Sequence, residues 1–98
     1  MFIKITKSYR DTVAVCDSSI IGKKFEQGNF QLDLKESFYK GEEVSEEKAM
    51  EIMKAMSAED ATFNIAGQKS IEAALKAGII SQESIGKIHE IPFALVLL

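Results

Sequence analysis

The amino-acid sequence predicts an α+β fold in which a mixed sheet of about five strands carries two principal helices on one face. Three observations carry that reading. Apolar and polar residues alternate along 1–8, 12–17, 30–34 and 61–65, the period-two signature of half-buried strands. Apolar residues recur at helical spacing after Ser45 and again after Gly67. The chain then closes on Phe93–Leu98, apolar without a break. With 98 residues it is read as one domain, 1–98, large enough to bury a core without metal or disulfide staples.

The first two alternating runs flank the short polar segment Ser8-Tyr9-Arg10-Asp11, which predicts an antiparallel hairpin. Asp17-Ser18-Ser19 supplies capping residues for a single helical turn through Ile20-Ile21-Gly22. No period is readable from there to the Gly28-Asn29 turn. Phe30, Leu32 and Leu34 then share one face of a strand expected to lie against a helix, and Phe38-Tyr39 is read as an apolar pair in a polar loop.

Ser45 is a good N-cap. Glu46 and Glu47 suit the positive end of the helix dipole, and Val44 is placed to contact Ala49 as a hydrophobic staple. Ala49, Ile52, Met53 and Met56 form the buried stripe of that helix, which fades through Ser57–Asp60. After the strand 61–65 and the Gly67 turn, Ile71, Ala74, Leu75 and Gly78 mark a second helix. Gly78 is placed to close it in the left-handed conformation, with Ile79 folding back over Ala74. Ser81 caps a single turn, Lys87–Ile91 alternates weakly, and Pro92 is expected to mark the start of a last strand buried on both faces.

The net charge of −3 is unevenly spread: residues 1–41 hold seven Lys/Arg against five Asp/Glu, residues 42–98 five against ten. This permits a mildly basic face on an acidic body. The single cysteine, Cys16, excludes an intrachain disulfide and a cysteine-rich zinc site. The chain opens on a strand-like run rather than a signal peptide, and no apolar run reaches the ~20 residues of a membrane span. The expectation is a cytoplasmic protein with no membrane contact.

Gly67-Gln68-Lys69-Ser70 is the leading candidate for chemistry. A glycine turn opening a helix leaves backbone N–H groups free for an anion, with Asn64, Lys69 and Ser70 alongside. It lacks the glycine pattern of a P-loop. The competing reading has Gly67 making the turn and Ser70 only capping the helix. Lys23 and Lys24, with Phe25 and with Arg10 and Tyr9 if the hairpin folds back, would give a basic, aromatic surface of the kind used on single-stranded RNA. The alternative is that these lysine stems cover apolar surface. His89 is alone, Cys16 reads as a small core residue, and no carboxylate spacing matches a metal loop, so neither metal nor cofactor is expected.

The order of several blocks resembles the archaeal proteins grouped as domain of unknown function family 424. These blocks are Val13-Ala14-Val15-Cys16-Asp17, Ile21-Gly22-Lys23 with Phe25, Phe38-Tyr39, Asn64-Ile65-Ala66-Gly67 leading into Ser70-Ile71, Ala77–Ile80 and Ile91–Ala94. The resemblance implies an α+β domain from an archaeal cytoplasm with no established activity, and suggests a link to translation or RNA. The first expectation is therefore a non-enzymatic module for RNA or a ribonucleoprotein, using Gly67–Ser70 and the basic residues Arg10, Lys23 and Lys24. The second is a small-molecule or anion binder, or an enzyme, built on the same helix N-terminus, and the third is a protein-interaction module.

Overall fold

A computed structural model describes residues 1–97. The predicted N-terminal hairpin is present: β1 (Phe2–Thr6) pairs antiparallel with β2 (Thr12–Cys16), Ile3 opposite Val15 and Ile5 opposite Val13. Parallel to β2 runs β6 (Thr62–Ala66), with Val13 beside Phe63 and Val15 beside Ile65. β8 (Ile91–Val96) follows antiparallel, with β7 (Gly86–Ile88) outside it. The short β5 (Glu42–Glu43) borders β1, so the six-stranded order is β5-β1-β2-β6-β8-β7. The sheet thus has six strands, one more than the expected five, and β3 (Lys24–Gln27) and β4 (Phe30–Asp33) form a separate two-stranded hairpin.

Side-chain alternation divides the molecule into two cores. Val13, Val15, Phe63, Ile65 and Ala94 point to one face, where they meet Ala49 and Met53 of α2 (Glu46–Ala58) and Ile71 and Ala74 of α3 (Gln68–Lys76). The Ser45 side chain accepts the Lys48 N–H at 3.2 Å, capping α2 as expected. At the other end of α3, Ile79 N–H donates to the Ala74 carbonyl and Gly78 N–H to that of Leu75, with Gly78 at φ +75°. This is the left-handed closure its position predicted. The two principal helices thus cover one face of a mixed sheet.

The opposite face departs from expectation. Ala14, Cys16 and Ala66 are covered by Ile20 of the 3-10 turn Ser18–Ile20, by Leu34 just after β4, and by Tyr39 of the short α1 (Glu36–Tyr39). The strand 30–34 therefore lies against a sheet rather than a helix, and Phe38-Tyr39 is a helical turn rather than a loop. This cover reaches only part of the sheet. Leu95 and Leu97, expected in a strand buried on both faces, are 53% and 71% exposed; the last residue of that run, Leu98, lies outside the described residues.

Pro92 is the second residue of β8, inside a ladder flanked on both sides. It is tolerated because its carbonyl accepts Gly67 N–H at 2.9 Å, while the Gly67 carbonyl already accepts the Ile71 amide at 2.9 Å. The missing proline donor therefore leaves no acceptor unpaired.

Burial in the second core pushes the Cys16 thiol up to about 12, with the nearby Asp17 charge adding to it. Burial likewise raises the Tyr39 hydroxyl to about 12, with Cys16 and Asp33 as lesser causes. Both groups ionise more readily in the unfolded chain, near roughly 8.5 and 10. Their contribution to stability is complete below those values and is lost as pH rises towards 12. Urea unfolding midpoints should fall steadily from about pH 8.5 upward, and Cys16→Ala should flatten the first part of that decline. A midpoint independent of pH up to 10.5 in the unsubstituted protein would contradict the burial of both groups.

Candidate functional site

Gly67 ends β6 and is the N-cap of α3, at φ +108°, where a side chain would be strained. A second constraint acts there as well, since a Cβ on Gly67 would lie 2.3 Å from the Asp17 carboxyl carbon. Asp17 follows β2 directly, and its own amide donates to the Ala66 carbonyl at 3.1 Å. Its carboxylate reaches across to the first turn of α3: Oδ2 accepts the Lys69 amide at 3.0 Å, and Oδ1 accepts the Ser70 amide at 2.8 Å and the Ser70 hydroxyl at 2.7 Å. Asp17 is 7% exposed and Ser70 fully buried.

The helix N-terminus does hold an anion, as its backbone geometry favours, and that anion is the chain's own carboxylate. The sequence places Asp17 as a cap of a helical turn through Ile20-Ile21-Gly22; the turn observed is the 3-10 turn Ser18–Ile20, and Asp17 makes no side-chain cap bond to it. Of the donors offered to an external ligand, those of Lys69 and Ser70 are engaged by Asp17 and that of Gly67 by Pro92. Of the turn Gly67–Ser70, the Gln68 and Lys69 side chains stand exposed. Asn64 sits between Ala14 and Leu95 in the register, on the face opposite the helices, and does not join Gly67. Neither the external-anion reading nor a plain Ser70 cap describes this arrangement, in which Ser70 is a donor to a buried carboxylate.

The basic residues divide into two groups. Arg10 lies in the β1–β2 turn, at the N-terminal end of β2, whereas Lys23 and Lys24 belong to the layer joined to its C-terminal end. A five-residue strand spans about 17 Å, so Arg10 does not share a surface with the two lysines. Lys24 is opposite Asp33 in the hairpin register, and the Lys23 carbonyl accepts the Leu34 amide at 2.9 Å. The same register carries Lys35 alongside. Lys23, Lys24 and Lys35 are exposed, and among the described residues none has a carboxylate within 4.0 Å. Lys35 was missed because β3 has no readable period; pairing Lys24–Gln27 back across Gly28-Asn29 was the available signal.

At the other end of β2, a cleft of about 740 Å³ is lined by Lys7, Tyr9, Arg10, Met56, Glu59 and Asp60, among others. His89 is structural: its amide donates to Gln27 Oε1 at 3.1 Å and its Nε2 contacts the Glu26 carbonyl, tying the β7–β8 turn to the second hairpin. Cys16 is a buried free thiol. Among the described residues no group of three or more His, Cys, Asp or Glu could hold a metal, and no helix is long and apolar enough to cross a membrane.

Removing the Asp17 carboxylate should leave two amides and a buried hydroxyl unpaired. Asp17→Ala is expected to cost about 3 kcal/mol in urea unfolding. Gly67→Ala should also destabilise, by displacing the same carboxylate. Near-neutral outcomes for both would show that this junction does not hold the fold.

A crystal structure of an uncharacterised conserved protein from Methanopyrus kandleri superposes on this chain with a TM-score of 0.86 at 19% identity, covering 97% of this chain and 88% of that one. At that identity the likeness speaks for the fold alone. No curated protein matches the sequence. The family described as "Protein of unknown function (DUF424)" matches residues 5–98, and with the α+β architecture now described the chain belongs to that family.

Proposed function

We propose that the protein is a non-enzymatic module that binds RNA through phosphate contacts at the base of the β3–β4 hairpin. The observation that carries this reading is that Lys23, Lys24 and Lys35, close in the hairpin register, are all exposed and have no carboxylate within 4.0 Å among the described residues, although Asp33 stands opposite Lys24. Three unpaired ammonium groups on a chain of net charge −3 form a local basic field, and such a field releases counterions when it meets a nucleic-acid backbone. Lys69 leaves the same end of the parallel β2–β6 pair. Phe25 is half-buried beneath the hairpin, so it is poorly placed to stack on bases. The lysines themselves would meet backbone rather than base edges, while Phe30, 72% exposed, stands at the far end of the same hairpin.

The reading based on an external anion or a catalytic site at Gly67–Ser70 has less support, because the amides it needed are bonded to Asp17.

Fluorescence anisotropy with a labelled single-stranded RNA at about 50 mM salt should give a dissociation constant on the order of 10–100 µM. Log affinity should fall against log salt with a slope of roughly −2, as about three phosphate contacts require. The triple change Lys23→Glu, Lys24→Glu, Lys35→Glu should abolish binding without altering the far-ultraviolet dichroism. Absence of binding by the unsubstituted protein, or equal binding by the triple variant, would refute the assignment.

A further inference from the structure

The cleft at the N-terminal end of β2 is not explained by a polyanion site, since Glu59 and Asp60 stand on its rim. We propose that it is the seam of a two-fold homodimer, in which the Tyr9-Arg10 turn of each copy seats in the cleft of the other. Four observations on one patch support this.

Tyr9 is fully exposed, a large ring with no cover of its own, held on a turn made stiff by local bonds. The Ser8 hydroxyl donates to the Arg10 carbonyl at 2.5 Å, the Ser8 amide to Asp11 Oδ1 at 3.4 Å, and Lys7 Nζ pairs with Asp11 at 3.1 Å. An anchor already fixed in place loses little freedom on docking. The cleft beside it, about 740 Å³ with Ala55 and Met56 on its wall, has room for such a ring.

The charges are complementary to themselves. Lys7 is taken by Asp11, but Arg10 has no carboxylate within 4.0 Å, and Glu59 and Asp60 have no cation within that distance, among the described residues. Those two carboxylates also sit at the C-terminal end of α2, whose last turn carries no basic residue. Negative charge at that end of a helix is unfavourable, and an incoming guanidinium would relieve it. A surface that presents an unpaired cation, unpaired anions, a protruding tyrosine and a hollow matches a second copy of itself turned through a two-fold axis. Tyrosine and arginine are also the residue types that dominate binding energy at such contacts.

Sedimentation equilibrium on the full chain, from about 10 µM to 1 mM, tests the assignment in the affinity range expected of a small interface. A concentration-dependent dimer is expected. Tyr9→Ser and Arg10→Glu, both at exposed turn positions, should each raise its dissociation constant at least about tenfold. Combining Arg10→Glu with Glu59→Arg and Asp60→Arg should restore association. A monomer at every concentration, a dimer indifferent to both single changes, or a charge reversal that the compensating changes do not rescue would each overturn the proposal.

Discussion

The carboxylate of Asp17, drawn under the first turn of α3, joins two parts of the chain that are far apart in sequence. β2 and β6 are parallel neighbours, and everything from residue 17 to residue 61 lies between them. Parallel pairing across so long a connection needs an anchor at its end, because chain entropy opposes it. Charge-assisted bonds of 2.7–3.0 Å from two amides and a hydroxyl, reinforced by the helix dipole, supply one. The same junction dictates Gly67, whose missing Cβ admits the carboxylate. It also accommodates Pro92, whose absent N–H faces a carbonyl that α3 has already used. In many open α/β sheets the crevice beyond the carboxyl ends of parallel strands receives a ligand. Here an internal side chain fills part of it, which moves any recognition to the periphery.

The two faces of the sheet differ in how completely they are covered. Helices α2 and α3 bury Val13, Val15, Phe63 and Ile65 on one side. On the other, the hairpin layer reaches Ala14, Cys16 and Ala66 but leaves the row of Thr6, Thr12 and Thr62 partly or fully exposed. The residue choices follow that boundary. Small apolar side chains stand where another layer must approach. Threonines stand where water does, with the Thr12 and Thr62 hydroxyls 3.2 Å apart across the parallel pair, and Asn64 lies between the two regimes.

Sequence signals were legible wherever a local rule and the tertiary structure agreed. The Ser45 cap, the Ala49–Met53 stripe and the Gly78 closure were readable because each depends on residues within one turn. The end of α2 was not. It closes on Asp60 at φ +59°, with Ala61 N–H donating to Met56 and Asp60 N–H to Ser57, the closure usually marked by glycine. The β7–β8 hairpin was hidden in the same way, since His89 and Glu90 take the positive φ angles of its turn where Asn-Gly would have announced it. The candidate site failed for a different reason. The spacing of Gly67 and Ser70 correctly signalled an anion at a helix N-terminus, but nothing local says that the anion comes from fifty residues earlier in the chain.

The two proposed recognition surfaces are attached to opposite ends of β2, one through the Tyr9-Arg10 turn and the other through the segment leading to Lys23. They differ in chemistry as well as place. The lysine patch is dominated by exposed ammonium groups, with Asp33 opposite Lys24 in the register, which suits a partner read by its field. The tyrosine cleft carries both signs and a hollow, which suits a partner read by shape. A two-fold pairing at the cleft would leave both lysine patches uncovered and carry them outward, in a particle built from two bodies each 35 Å long. An RNA able to span them would meet two basic patches in one encounter, and the second contact would form at a high effective concentration. On the two proposals together, weak phosphate binding by a chain of net charge −3 would be strengthened by geometry rather than by additional lysines, because each copy would present its basic patch away from the seam.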